Sequence, residues 1–175
     1  MVDRGTTIDP LGIEPGFLER IVVPAAATLD VAAQENVATG MLDVSVTYTF
    51  QEDINADWRV ACVLTEDGVT GTSSGYAQSN YYAGGDNGQM GGYENLSGTV
   101  PAADMVYDHV ARAISPSFLG GQNLPGTITA GESYTFTFSF TLDIGWNTDE
   151  MYIIGMLVED NGSVNNGGRA TYDEA

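Results

Sequence analysis

The chain contains no lysine, and its five basic residues, Arg4, Arg20, Arg59, Arg112 and Arg169, stand against 24 acidic ones. At net charge −19 the surface repels phosphate backbones and anionic headgroups, which excludes nucleic acid and an electrostatically docked membrane as partners. Cysteine is almost absent. Cys62 alone can form no intramolecular disulfide, and its place on the apolar side of "WRVACVLTEDG" marks a buried, inert thiol. His109 is the single histidine, so any Ser-His-Asp triad would have to pass through "YDHVAR", and a zinc site would have to be built mainly from carboxylates. No G-x-S-x-G elbow occurs. No apolar run approaches the roughly 20 residues that cross a bilayer. The opening "MVDRGTTIDP" lacks the apolar core of a signal peptide. The chain is therefore read as cytoplasmic or as a piece of a longer protein.

What is present is strand periodicity. In "LDVSVTYTF", Leu42, Val44, Val46, Tyr48 and Phe50 fall on one face, and Asp43, Ser45, Thr47 and Thr49 on the other. "YTFTFSFTL" repeats the pattern with Tyr134, Phe136, Phe138, Phe140 and Leu142. Such alternation describes antiparallel strands with one face buried. "DWRVACVLTEDG" and "MYIIGMLVEDNG" run into Asp67-Gly68 and Asn161-Gly162, dipeptides that suit primed hairpin turns. Further strands are expected in "ATLDVAAQ", paired with the strand from Met41, in "MVYDHVARAI" and near "GGRATY". Only Glu14 to Val23 suggests a helical turn. Seven or eight short strands with glycine-rich turns predict an all-β fold, an immunoglobulin-like antiparallel β-sandwich carrying one long Gly/Tyr-rich loop. Its 175 residues suffice for one core, with residues 1–23 as a lead-in or linker and 24–175 as the sandwich. Phe136, Phe138, Phe140, Val44, Val46, Trp58, Val60 and Leu64 are expected to share that core.

The long loop, Thr70 to Val100, contains "YAQSNYYAGGDNGQMGGYENL" and shows no recognisable strand. Connections of this length in compact domains are functional or disordered, and the aromatics argue for order. The candidate binding residues are Tyr76, Tyr81, Tyr82 and Tyr93 as stacking platforms, with Asn80 beside them, because tyrosine in a glycine-rich loop offers contact area at small entropic cost. The alternative is that these rings fold inward and serve only the fold. Tyr93 and Leu96 are expected to be partly buried, and Tyr81 or Tyr82 exposed. Asp86 and Asn87 in "GGDNGQ" are the candidate metal ligands, with calcium as the ion, since glycine frees backbone carbonyls beside them. No other cofactor is expected. If "VYDHVARAI" is one strand, Asp108 and Arg112 share a face and can form an ion pair or hold loop backbone; Asp108, His109 and Arg112 are assigned structural roles. Glu66-Asp67, Asp149-Glu150 and Glu159-Asp160 are read as solvated strand-end acids rather than a glycosidase pair. No catalytic residue is assigned.

The order of "TEDGVTG", "YAQSNYYAGG", "GQMGGYENLSGTVPAADMVYDHVARAI", "FLGG" and "ITAGESYTFTFSFTL" resembles the carboxy-terminal domain of the twenty-eight-kilodalton outer-membrane protein family of Bacteroidota. The resemblance runs from about Ala25 to the end and lies in the order of the motifs. Tyr107, His109 and Arg112 match the family's Y-x-H-x-x-x-R only in part, because the arginine comes one residue early. The resemblance implies a thioredoxin-like domain preceding this one, with Met1 an interior position, and a sorting domain for type nine secretion beyond Ala175. It implies an extracellular or outer-surface location, with the preceding domain of the same chain as a partner. The function expected is that of a non-catalytic adhesion, binding or structural module. The alternatives are a carbohydrate- or peptide-binding module that uses the Tyr/Gly-rich loop, and a hydrolase.

Overall fold

The computed structural model describes residues 8–9, 12–36 and 38–172. The chain divides into two compact units, one formed by residues 1–65 and 111–175, the other by residues 66–110.

The first unit is an antiparallel β-sandwich. One sheet has the order β1-β2-β8, from β1 (Ala27–Asn36), β2 (Met41–Phe50) and β8 (Ser133–Thr141). The other has the order β10-β9-β3-β6, from β3 (Arg59–Glu66), β6 (Val110–Ser115), β9 (Met151–Val158) and β10 (Val164–Thr171), with the short β7 (Gly121–Asn123) also pairing with β3. The register is continuous where the sequence alternates most strictly. β1 runs against β2 from Ala27–Phe50 to Asn36–Met41, and β2 against β8 from Met41–Thr141 to Thr49–Ser133. Because side chains alternate at period two, this register sends Leu42, Val44, Val46, Tyr48 and Phe50 inward together with Phe138 and Phe140. Their polar alternates form an outer ladder. The hydroxyls of Thr47 and Thr135 lie 2.8 Å apart, those of Thr49 and Ser133 2.9 Å, and Ser139 donates to Asp43 at 2.6 Å.

From the facing sheet Val60, Cys62, Leu64, Met151, Ile153 and Leu157 complete the core. Each large apolar side chain removed from water contributes about 1.5–3 kcal/mol. Tyr48 brings a hydroxyl into this layer and donates it to the Met156 carbonyl across the sheets at 3.2 Å, while its ring meets Phe136 edge-on at 6.0 Å. Of the eight residues expected in the core, six are buried in it, and Phe136 and Trp58 are partly buried and pack against it.

The hairpin dipeptides behave differently from expectation. β9 and β10 are joined through a wider loop, in which the Glu159 N–H donates to the Ser163 carbonyl at 2.9 Å and Gly162 adopts φ +91°. The glycine thus takes the left-handed position of a three-residue loop rather than half of a two-residue primed turn. Gly68, at φ +69°, opens no hairpin. It lies near the start of residues 66–110, just before the Val69–Tyr107 bridge. The expected strand from Met105 starts only at Val110, because His109 adopts φ +57° and breaks the extended backbone. Helix α1 (Ile13–Arg20) occupies part of the segment read as a lead-in and buries none of its residues. The guanidinium of Arg20 donates to the Val164 carbonyl at 3.1 Å.

The second unit is not strandless. β4 (Gln78–Ser79) and β5 (Thr99–Val100) form a two-residue antiparallel ladder, and single 3-10 turns occur at Ser74–Tyr76, Tyr93–Asn95 and Ala102–Asp104. Elements this short, set among glycines, leave no periodic signal in sequence. Gly71 is required by a close approach: a β-carbon there would lie 2.3 Å from the Tyr76 ring.

Candidate functional site

The segment 66–110 closes at its base through two reciprocal aspartate clamps. Asp67 accepts from the His109 backbone N–H at 2.6 Å and pairs with its imidazole Nδ1 at 2.8 Å. Asp108 accepts from the Gly68 N–H at 2.9 Å. Between them Val69 and Tyr107 exchange backbone hydrogen bonds, both 2.9 Å. Asp108 therefore holds loop backbone, the second of the two roles open to it. The late start of β6 removes the premise that Asp108 and Arg112 share one strand face. His109 is largely exposed, and its left-handed φ is tolerated because both its N–H and its ring meet the same carboxylate.

Asn80 is the centre of the loop. Its carboxamide NH2 donates to the Tyr93 carbonyl at 2.7 Å and the Ser97 carbonyl at 3.1 Å, its Oδ1 accepts from the Tyr82 N–H at 3.1 Å, and its own N–H reaches the Gly98 carbonyl at 3.0 Å. Read from sequence as a polar ligand contact, it has its carboxamide engaged on both sides with backbone. Glu94 organises the next turn in the same way: its Oε2 accepts from Met90 N–H and Gly92 N–H, each at 2.9 Å. The Met90 N–H first, then the backbone at Glu94, with the Gly92 N–H and the Asn95 side chain adding less, hold this carboxyl below the usual carboxylate range against the opposing effect of desolvation.

The tyrosines separate by role. Tyr81 is 73% exposed and stands edge-on to Tyr82, ring centroids 6.0 Å apart, while Tyr82 is buried. Tyr82 therefore supports Tyr81 and is not itself a platform. Tyr76 is half-buried, stacks obliquely with Tyr107 at 6.4 Å, and its carbonyl accepts the Tyr107 hydroxyl at 2.9 Å. Tyr93 and Leu96, expected to be partly buried, are exposed at 38% and 46%. The 3-10 turn at Tyr93–Asn95 is anchored through its backbone and Glu94, which leaves these side chains free of an anchoring role. Tyr81 and Tyr93 are thus the outward aromatics, on backbone fixed by one asparagine. Sequence reasoning did not single out Glu94, although its partners Met90, Gly92 and Asn95 lie within four positions, and it named Tyr107 only through the family motif, whereas its hydroxyl reaches Tyr76, 31 positions away.

Asp86 is exposed, and the Asn87 carboxamide donates to the Tyr81 carbonyl at 2.7 Å, tightening the loop. Among the described residues, no three His, Cys, Asp or Glu side chains converge on a common point suited to a metal ion. Glu66, expected as a solvated strand-end acid, is buried at the end of β3. Cys62 is fully buried, and burial pushes its thiol up to about 12.

No curated protein matches the chain. Among solved structures, a domain of the outer membrane lipoprotein Omp28 from Porphyromonas gingivalis is similar at 14% identity and a TM-score of 0.45, over 85% of this chain and 90% of that one. The sporulation control protein Spo0M from Bacillus subtilis is similar at 14% identity and a TM-score of 0.46, over 84% of this chain and 48% of that one. The model of the family described as outer membrane protein Omp28 matches residues 14–174, from within α1 through β10, and the chain belongs to that family.

Proposed function

We propose that this chain is a non-catalytic binding module of a bacterial cell-surface protein, and that the segment 66–110 presents its contact surface. The observation that carries this reading is the hydrogen-bonded frame around Asn80, which holds Tyr81 outward on a buried Tyr82. A large aromatic on fixed backbone contacts a glycan ring or a peptide with little ordering cost. Two features support a non-catalytic role: the high thiol pKa of Cys62 suppresses its thiolate, and His109 is held by Asp67 in a clamp that serves backbone geometry. Membership of the Omp28 family supports a surface or outer-membrane location. Exposed Phe17, Leu18, Ile21 and Val22 on and after α1 support apolar contact with a preceding domain.

A glycan array and a surface pull-down, each run with the native chain and with Tyr81→Ala and Tyr93→Ala, test this reading. Binding that Tyr81→Ala abolishes without changing the β spectrum supports it. Binding that survives both substitutions would move the contact surface elsewhere.

A further inference from the structure

The end of the sandwich where β1 turns into β2 and β8 leads to β9 carries a second, chemically distinct feature. An open cleft of about 610 Å³ is lined by Glu35, Leu142, Asp143, Ile144, Trp146 and Tyr172. Its parts are held in place. Asp143 accepts the Gly145 backbone N–H on Oδ1 at 2.8 Å, and its carbonyl accepts the Trp146 backbone N–H at 3.0 Å, so a tight turn fixes the backbone that carries the indole. Trp146, Leu142 and Tyr172 rest partly buried on the core. The Tyr172 hydroxyl donates to Glu35 Oε2 at 3.3 Å across the cleft. Ile144 is fully exposed on its rim. On the other side of Glu35 lies a polar recess of about 340 Å³, lined by Gln34, Glu35, Asn36 and Asp43.

We propose that this cleft binds a basic peptide segment, with an arginine or lysine side chain lying against Trp146 and Tyr172 and its charge directed to Glu35 and Asp143. The chemistry selects this occupant. Two aromatic rings beside two carboxylates attract a cation by both ring quadrupole and charge. Among the described residues, no basic one lines either the cleft or the recess, so the local field of those residues has one sign. Leu142 and Ile144 offer apolar surface to the residues flanking the cation, and a cleft of this volume suits a few side chains. A neutral sugar would use the indole but leave both carboxylates without a matching charge. The inference does not rest on the tyrosine surface of residues 66–110.

The test is a titration of the isotope-labelled full chain with the peptide acetyl-Leu-Arg-Leu-Arg-Leu-amide, followed by the indole N–H signals of Trp146 and Trp58. The expected result is a saturable shift of the Trp146 signal. Binding should weaken by about tenfold in Trp146→Ala, through loss of the cation–π contact and its area. The double variant Glu35→Gln/Asp143→Asn should weaken it to a similar degree, while Tyr81→Ala leaves it unchanged. The double variant removes only two of 24 acidic residues, so peptide held merely by the net charge would bind it almost as well as the native chain, and that outcome overturns the proposal. Equal binding of the glutamate-for-arginine peptide overturns it, as does a Trp146 shift produced by cello- or chito-oligosaccharide but not by the basic peptide. Should Trp146→Ala fail to fold, the double variant alone decides.

Discussion

Gly155 faces Val46 across the sandwich so closely that a β-carbon on the glycine would sit 2.6 Å from Cγ1 of the valine. Its cross-strand partner in β10 is Gly168, where a β-carbon would meet Leu29 of β1 at 2.7 Å. The two glycines form a shallow depression in one sheet that receives Leu29 and Val46 from the other. Beside it the sheets are tied by side chains: Asn165 Oδ1 accepts the Ala26 N–H at 2.8 Å, and Asn166 donates to the Ala27 carbonyl at 2.8 Å.

Gly155→Ala should therefore destabilise the domain although alanine is the better strand residue. The backbone cannot yield between paired strands, and overpacking of this kind costs about 1–3 kcal/mol. Gly167→Ala is the control, because its β-carbon would meet ordinary contacts, the Gly155 carbonyl at 3.4 Å and Ile154 Cγ2 at 4.0 Å. Urea midpoints should fall clearly for the first substitution and little for the second. Equal effects would mean that the sheets relax apart at this point.

Stability should be flat across neutral pH and decline in alkali. Burial raises the Cys62 thiol from 9.0 to about 12, and burial first, then the charge of Cys62, raises the Tyr48 phenol above its ordinary 10.0. A group whose pKa is raised by folding supplies its stabilisation fully below the unfolded value and loses it as pH climbs toward the folded one. The decline should begin near pH 9 and steepen above 10. In Cys62→Ala the earlier onset should disappear, leaving the tyrosine's. Alkylation of native Cys62 by iodoacetamide at pH 8 should be negligible until urea unfolds the chain.

The sandwich was legible in the sequence because its evidence is periodic. Val44, Val46, Phe138 and Phe140 announce their face every second residue, and the register follows once that face is buried. The expectation of an immunoglobulin-like sandwich is met at the level of two antiparallel sheets packed on one core. The segment 66–110 was legible only as something ordered. The bonds that close its frame are made by single side chains reaching backbone groups 13 to 42 positions away, as Asn80 reaches Tyr93 and Asp67 reaches His109, and no local pattern announces such pairings; the shorter ones, from Asn87 to Tyr81 and from Glu94 to Met90, tighten single turns. The cleft beside Trp146 was missed for a related reason, since Glu35, Asp143 and Tyr172 meet only through topology.

Acidification should loosen the turn at residues 90–95 before it affects the sandwich. Donors led by the Met90 N–H hold the Glu94 carboxyl below its ordinary value, so its contribution is complete above the usual carboxylate range and is lost as pH falls through the lowered one. The amides of Met90 and Gly92 should lose hydrogen-exchange protection in that window, while Val44 and Ile153 keep theirs. In Glu94→Gln the protection should be weak at every pH. An unchanged acid profile in that variant would assign the loosening to another group.

The frame around Asn80 makes the strongest claim on the loop, because one carboxamide joins Tyr82, Tyr93 and Ser97. Native protein should resist cleavage between Ser79 and Gly92. Trypsin cannot report on this, since no lysine or arginine lies between Arg59 and Arg112; chymotrypsin can, at Tyr81, Tyr82 and Tyr93. Asn80→Ala leaves the partners of its carboxamide to water, and each lost hydrogen bond of this kind costs about 0.5–1.5 kcal/mol, enough to let the segment open locally. Chymotrypsin should then cut at Tyr81 and Tyr82 several times faster, while the circular dichroism and urea midpoint of the sandwich stay near native. Asn80→Asp keeps the acceptor for Tyr82 but loses both donated bonds, so its cleavage rate should approach that of the alanine variant. Rapid cutting of the native chain at these tyrosines would remove the preorganised surface on which the binding role of Tyr81 depends.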